Sequence, residues 1–312
     1  MDQVTKDLDK QIDELKESEL EMSENNTIKV VHNVIPSMND GKSLNAIATR
    51  IIRQKEPKKA GIATTCCHLC LKHMNHFTKT FFHEPVTLDT LKYGIAPLHT
   101  VMNTFQNLFK AGCKKRAEEE GCSYKEMEVK LQKLFLEEIG IRVFVPEVGG
   151  GNSNTGNVGR RFFQNAEISA SILHIDVNII KNVKELLDII SSGYTMYDPE
   201  AFKIKAVKVW HQYCSELSQY RGMCPTFHRL LSHGYLFLAF AQEVGIPLGR
   251  LSESAIEARN IDNKNVRRFH SRKFGFIEQN TDCFHWLSWT SDPIVCSLKR
   301  EIRKRRRRHS IG

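Results

Sequence analysis

The chain has 312 residues, 41% hydrophobic content and a formal net charge of +9, so it can bury a substantial core and is not a disordered tail. It contains no run of eighteen apolar residues, which excludes an ordinary membrane-spanning helix, and its acidic start is unlike a secretory signal. The nine cysteines are therefore expected to be reduced thiols or metal ligands in an intracellular protein.

The N-terminal part of the chain is predicted to contain one strand. Residues 1–26 carry nine acidic and three basic side chains, which predicts an acidic arm that is either helical or disordered. Within residues 27–62, the Val- and Ile-rich stretch 27–35 ends at Pro36 and predicts a strand. Asp40 follows in the next loop, so a carboxylate is expected at the end of a strand.

Residues 63–245 are predicted to be largely helical. Apolar residues recur at spacings of three and four in 88–140, 168–192 and 198–220, which indicates amphipathic helices. The loop 146–159 between them is rich in Gly and Asn but lacks the Gly-Lys-Ser/Thr ending of a nucleotide-binding loop. The sequence therefore predicts no binding of nucleoside triphosphates.

The C-terminal part is predicted to be helical and basic. Residues 246–298 contain Glu257, followed by Arg267 and Arg268. In the tail 299–312, eight Lys or Arg side chains stand against one Glu. This tail is either a nuclear import signal or a non-specific clamp on a nucleic-acid backbone, and both interpretations place the protein in the nucleus with a polyanionic partner.

Cys67 and Cys70 are spaced so that both sulfurs could bind one tetrahedral zinc. The ordinary zinc-finger spacing from Cys70 reaches His83 but finds no second histidine at residues 87–89. His73 and His76 lie close to the cysteines, yet ligands this closely spaced on one short segment would have difficulty surrounding a metal. Two further ligands must therefore come from elsewhere, or the cysteines are simply buried thiols.

A remote histidine pair could complete this site. His228 and His233 are five residues apart, at a predicted helix start after Pro225. A zinc site joining these histidines to the two cysteines would connect distant segments of the chain. The competing interpretation is that the histidines are ordinary core or surface residues.

Two acidic residues are candidates for DNA cleavage, because two-metal phosphodiester hydrolysis needs carboxylates that hold divalent cations. Asp40 is well placed after its strand. Glu257 lies at the start of a predicted helix, where its spacing from Ser254 also fits a capping box, a purely structural role. Arg160 and Arg161 could grip a DNA phosphate or be a solvated surface pair.

Six segments, in order, resemble the Transib transposases and the related catalytic subunit of the recombination-activating complex that rearranges antigen-receptor genes. The resemblance spans about residues 30–300. Each segment is weak alone, but the ordered set is specific. The segments are the Asp-Gly-Lys turn at Asp40, Cys67-x-x-Cys70, Pro97-Leu98-His99, Gly156-Asn157-x-x-Arg160-Arg161-Phe162-Phe163, His228-x4-His233 and Glu257-Ala258-Arg259-Asn260.

The periodicity predicts a mainly α fold with a small α/β remnant, and the resemblance implies a partial RNase H-like core interrupted by a zinc-tied helical insertion. It also implies that Asp40 and Glu257 correspond to the second and third acidic residues of the family's Asp-Asp-Glu triad, which binds catalytic Mg²⁺ or Mn²⁺. One structural zinc would be bound by Cys67, Cys70, His228 and His233. The expected DNA-contacting residues are Asn157, Arg160, Arg161, Arg267 and Arg268.

The first acidic residue of the triad has no counterpart here. Only 39 residues precede Asp40, and the acidic residues of the arm lie on no apolar strand. We therefore expect a truncated or decayed transposase that binds DNA, with loss of the metal-dependent hairpin-forming cleavage and strand transfer of its intact relatives. The alternative is a domesticated, zinc-stabilised DNA-binding or interaction protein without nuclease activity. A homodimer would follow from the resemblance.

Overall fold

A computed structural model describes residues 16–23, 26–30, 47–51, 66–82, 88–144 and 154–309, with the single residues 10, 14 and 44. The chain forms two compact units, Met1–Ser252 and Glu253–Gly312. The described residues are mostly helical, which confirms the mainly α prediction. Among them, no helix combines the length and apolar character needed to cross a membrane.

A two-stranded antiparallel hairpin lies near the N-terminus. Strands β1 (Ser18–Ser23) and β2 (Asn26–Val30) pair with Leu20 opposite Ile28. The strand expected after residue 27 therefore finds its partner inside the acidic arm, at residues for which the sequence predicted a helix or disorder. The local cause is visible in the sequence, since polar and apolar residues alternate through β1, the period typical of a strand.

Some helices of the first unit begin and end at residues with clear capping chemistry, among them α2 (Tyr124–Ile139). Ser123 and Glu126 form a reciprocal capping box at the start of α2, and Gly140 ends that helix in the left-handed conformation. The helices are α1 (Pro97–Glu120), α2 (Tyr124–Ile139), α3 (Gly156–Gln164), α4 (Ala166–Leu173), α5 (Val177–Ser191), α6 (Pro199–Glu216), α7 (Pro225–His228) and α8 (Gly234–Val244), with a π-helical turn Arg229–His233 between the last two. Single 3₁₀ turns cover Met74–His76, Leu88–Tyr93 and Leu248–Leu251.

Helix α1 is the central element of this unit, because it contacts α2, α3, α4, α5 and α7. Its Phe105 and Phe109 meet Phe135 and Phe162 from α2 and α3, with ring centroids 5.0–6.0 Å apart. All four side chains are buried. Edge-to-face and tilted contacts of this kind add to the free energy gained from burying the rings.

The second unit contains three α-helices and one π-helical turn within its described residues. These are α9 (Ser254–Asn265), the turn Val266–His270, α10 (Phe276–Ser291) and α11 (Pro293–His309). Few side chains of this unit are buried, and Val266 and Cys283 are among them.

Two glycines let α3 approach α1 closely. A Cβ atom added at Gly159 would lie 2.8 Å from Val101 Cγ1 and 3.3 Å from the Val101 carbonyl oxygen, and one added at Gly156 would lie 2.2 Å from Leu98 Cδ1. The glycines of the Gly156-Asn157-x-x-Arg160 motif therefore face α1, while Asn157 and Arg160 are exposed.

Replacing Gly159 with Ala is expected to lower the free energy of unfolding by about 1–2 kcal/mol, because the β-branched Val101 cannot move aside within its helix. This loss of stability from the steric clash is larger than the stability that Ala gains over Gly through its higher helix propensity. Thermal or urea unfolding checks it. The matched control is Gly222→Ala, where a Cβ atom would meet nothing closer than 3.9 Å; equal stabilities of the two variants would contradict the close approach.

Candidate metal centre

Cys67 and Cys70 lie in a tight turn stabilised by its own backbone. Cys67 N–H donates to the Lys72 carbonyl (3.0 Å), and Leu71 N–H donates to the Cys67 carbonyl (2.9 Å). Leu71 adopts the left-handed conformation with φ of 55°, which reverses the chain directly after the second cysteine. Both cysteines are buried, so the turn presents two thiols to the interior.

The histidine pair depends on the π-helical turn. In a regular α-helix, residues five apart point about 140° away from each other. The turn Arg229–His233 instead has the i to i+5 pattern of a π-helix, which brings residues five apart to the same side. The rings of His228 and His233 accordingly lie 5.0 Å apart between centroids, at right angles.

The structure brings these four side chains together. One potential ligand atom from each of Cys67, Cys70, His228 and His233 lies within 4.8 Å of all the others, and all four residues are buried. Cys70 Sγ is 3.4 Å from His228 Nε2, close to the roughly 3.5 Å expected between ligand atoms of a tetrahedral zinc. The four residues can therefore bind a metal ion such as zinc.

Two neighbours fix the orientation of the His228 ring. Phe77 stacks on it with ring centroids 3.8 Å apart and an interplanar angle of 1°. Ser232 Oγ lies 3.2 Å from Nδ1. If Nδ1–H donates to Ser232, the lone pair of Nε2 faces Cys70, which is the tautomer a metal ligand needs.

The thiols of the two cysteines are electrostatically linked. Complete burial raises the pKa of Cys67, but the hydrogen bond from Cys70 and the adjacent His233 and His228 outweigh burial and bring that pKa well below its usual range. The pKa of Cys70 is raised, first by its hydrogen bond with Cys67 and then by burial. The two thiols therefore influence each other's ionisation, and a divalent cation bound by both would favour their deprotonated forms.

His233 provides the test of fit. Both of its ring nitrogens are buried, and neither has a hydrogen-bond partner within the described part of the chain. A buried imidazole left in this way is costly, because it has lost its contacts with water. Coordination to a metal would give one of these nitrogens a partner, and two thiols and two imidazoles form a donor set suited to zinc.

Contacts outside the ligand set hold the two segments in place. Trp210 of α6 donates from Nε1 to the Phe77 carbonyl (2.8 Å), which attaches the segment after the cysteines. Asn107 of α1 accepts from Cys224 N–H (3.0 Å) and donates to Tyr213 Oη (2.7 Å), which fixes the chain just before α7. Local sequence patterns do not reveal these partners, because they lie far away along the chain.

The nearer histidines have a different role from the ligands. His73 Nδ1 accepts from Asn75 N–H (3.2 Å) and caps the 3₁₀ turn Met74–His76, while the side chain of His76 is exposed. His83 lies outside the described residues.

The two predicted catalytic carboxylates are Asp40 and Glu257. Asp40 lies outside the described residues, as does the side chain of Glu257. The backbone of Glu257 belongs to α9, whose N-cap is Glu253 and not Ser254. The helix therefore starts one residue earlier than the capping-box interpretation of Ser254 and Glu257 requires.

The predicted DNA-contacting residues fall into two groups. Asn157, Arg160, Arg161 and Arg268 are exposed and Arg267 is half-buried, so the groups differ in their hydrogen bonds. Arg161 and Arg267 already make internal hydrogen bonds: Arg161 donates to the carbonyls of Ile139 (2.6 Å) and Gly140 (3.1 Å) at the end of α2. Arg267 donates to the side-chain oxygens of Asn263, Gln279 and Asn280.

Comparison with protein-family models finds no match, and comparison with curated protein sequences finds none either.

Replacing Ser232 with Ala is expected to weaken zinc binding by about tenfold, because the His228 ring loses the acceptor that orients it. Competition with a chromophoric chelator measures the affinity. Ser215→Ala is the matched control, since Ser215 bonds only the Gln212 carbonyl on an exposed face of α6. Unchanged affinity in Ser232→Ala would show that the hydroxyl does not orient the ligand.

Proposed function

We propose that the chain is a zinc-stabilised DNA-binding protein of the Transib transposase type. The cluster of Cys67, Cys70, His228 and His233 carries this proposal. These are the four residues for which the resemblance implies a single zinc, and Cys70 and His228 are 158 positions apart. The buried cluster joins two of the six short motifs that carry the resemblance, and this supports the proposal.

In this proposal the zinc is structural. Four protein ligands, all buried, leave no open position for a water or substrate. The metal would tie the segment after Asp40 to the segment before Glu257. Residues 63–245 would then form a helical insertion, folded back towards an RNase H-like core.

The DNA-binding part of the proposal rests on charge and exposure. Asn157 and Arg160 project from the first turns of α3 and are exposed. Arg160 is free to reach a phosphate, whereas the guanidinium of Arg161 caps α2. The basic tail 299–312 would add non-specific contacts to the DNA backbone and direct the protein to the nucleus.

The chain is proposed to bind DNA without cutting it. Asp40 and Glu257 match two of the three acidic residues that the family uses, and a site formed by these two carboxylates alone would hold Mg²⁺ or Mn²⁺ with too few ligands to position the attacking water. The alternative of an active nuclease remains distinguishable by experiment.

Purified protein is expected to contain one zinc per chain by mass spectrometry, and the double variant His228→Ala/His233→Ala is expected to contain none and to unfold at lower temperature. The matched control is His73→Ala/His76→Ala, which removes two nearby histidines that lie outside the cluster and should retain zinc. A folded wild-type protein without zinc would refute the proposal, as would a double ligand variant that keeps its metal.

Duplex DNA is expected to bind with a strong dependence on salt, and Arg160→Ala should reduce the slope of log affinity against log salt by about 1. Arg142→Ala removes an equal charge from another exposed position of the same unit and is the control.

With Mn²⁺ present, neither the wild-type chain nor Asp40→Asn should cleave DNA. Cleavage by wild type that is lost in Asp40→Asn would show an active nuclease instead.

A further inference from the structure

The second unit has an unusual surface for its size. Residues 253–312 contain fourteen Lys and Arg against seven Asp and Glu, so this unit carries a formal charge of +7 out of the +9 of the whole chain. Phe274 is 80% exposed, Phe276 74%, Phe284 68% and Trp289 59%. Large aromatic side chains at this exposure favour a surface that binds a partner.

Cations lie against several aromatic rings of the second unit. Lys299 Nζ is 5.6 Å from the centroid of Trp286 and 5.5 Å from that of Trp289. His270 stacks on Trp286 with ring centroids 6.4 Å apart and an interplanar angle of 8°. We call these four residues, His270, Trp286, Trp289 and Lys299, the aromatic–cation cluster.

In two further pairs, an arginine lies against a phenylalanine ring. The guanidinium carbon of Arg268 is 5.8 Å from the Phe269 ring centroid, and that of Arg272 is 5.9 Å from the Phe274 centroid. Phe269 is 67% exposed and directly precedes His270 of the cluster. Flat rings and positive charges therefore alternate through the turn Val266–His270 and the residues that follow it.

We propose that the aromatic–cation cluster and the adjoining Arg268–Phe269 pair bind single-stranded nucleic acid, with unpaired bases stacked on the exposed rings and phosphates beside the cations. Unpaired bases offer a flat face to an aromatic side chain, which paired and stacked bases inside a duplex do not. The positive charge selects a polyanion and opposes association with a second copy of the same face. This deepens the DNA binding proposed above and assigns it a second binding mode.

The tryptophans provide a direct probe. The chain has three, of which Trp210 is buried in the first unit, 8% exposed, and bonded to the Phe77 carbonyl. A base stacked on Trp286 or Trp289 should quench their emission, while Trp210 should not respond.

The test is a fluorescence titration of the full-length protein with twenty-residue oligothymidylate, oligouridylate and a duplex of equal length, at one ionic strength. Both single strands are expected to quench the emission, and the duplex to quench it less. Stronger binding of oligouridylate would identify RNA as the ligand, and stronger binding of oligothymidylate would identify DNA; either supports the single-strand site.

Variants distinguish binding at the aromatic–cation cluster from binding through net positive charge alone. Trp289→Ala should weaken single-strand binding by about tenfold, Trp289→Phe should restore most of the affinity, and duplex affinity should change little in either. The control is Tyr194→Ala, which removes an aromatic side chain that is 94% exposed in the first unit. A thermal melt confirms that each variant is folded.

Three results would overturn the inference. One is equal single-strand affinity for the wild type and Trp289→Ala, and another is saturation with oligonucleotide without any quenching. The third is a concentration-dependent dimer that Trp289→Ala dissociates, with no oligonucleotide bound, which would assign this face to a second copy. In each case duplex binding through Arg160 could persist, so failure here is distinct from failure of the proposed function.

Discussion

The first unit depends on a link between two segments that are far apart in the sequence. Cys70 and His228 are separated by 158 positions and meet in the interior with their ligand atoms 3.4 Å apart. In a polymer estimate, a cross-link closing a loop of this length removes conformational entropy from the unfolded chain worth on the order of 5 kcal/mol. That is a large share of the net stability of an ordinary domain.

The surrounding contacts are consistent with such a link. The segment after the cysteines holds one short 3₁₀ turn and little other regular structure, so its own backbone contributes few hydrogen bonds. Phe77 connects this segment to two distant residues. Its ring stacks on His228, and its carbonyl accepts a hydrogen bond from Trp210 of α6. The four candidate ligands and the contacts of Phe77 therefore join the segment after the cysteines to distant parts of the chain, and loss of a metal bound at the cluster would leave the aromatic contacts to oppose chain entropy alone.

Local sequence patterns were sufficient to predict the helices and each of the two pairs of candidate metal ligands. They did not show that the two pairs meet in one site. Apolar spacing located helices such as α2 and α5 because each buries one face, a property of neighbouring residues. The spacings of Cys67 and Cys70 and of His228 and His233 each suggested half of a possible metal site, but only the resemblance assigned the two halves to one zinc. The π-helical turn that makes a five-residue spacing workable leaves no local signal, and Phe77 and Ser232 matter only through tertiary contacts. The pairing of β1 was missed because overall acidity obscured a short alternating pattern.

Arginine shows why residue type alone does not define a nucleic-acid surface. The guanidinium groups of Arg161 and Arg267 donate hydrogen bonds to carbonyl and amide oxygens of the protein itself. No count of residue types can distinguish these two arginines from Arg160 and Arg268. Exposure and partners decide the role. By that measure the second unit has much to gain from a ligand: it buries few side chains, exposes several aromatic rings and concentrates positive charge, so neutralisation by a polyanion and coverage of its rings would both lower its free energy.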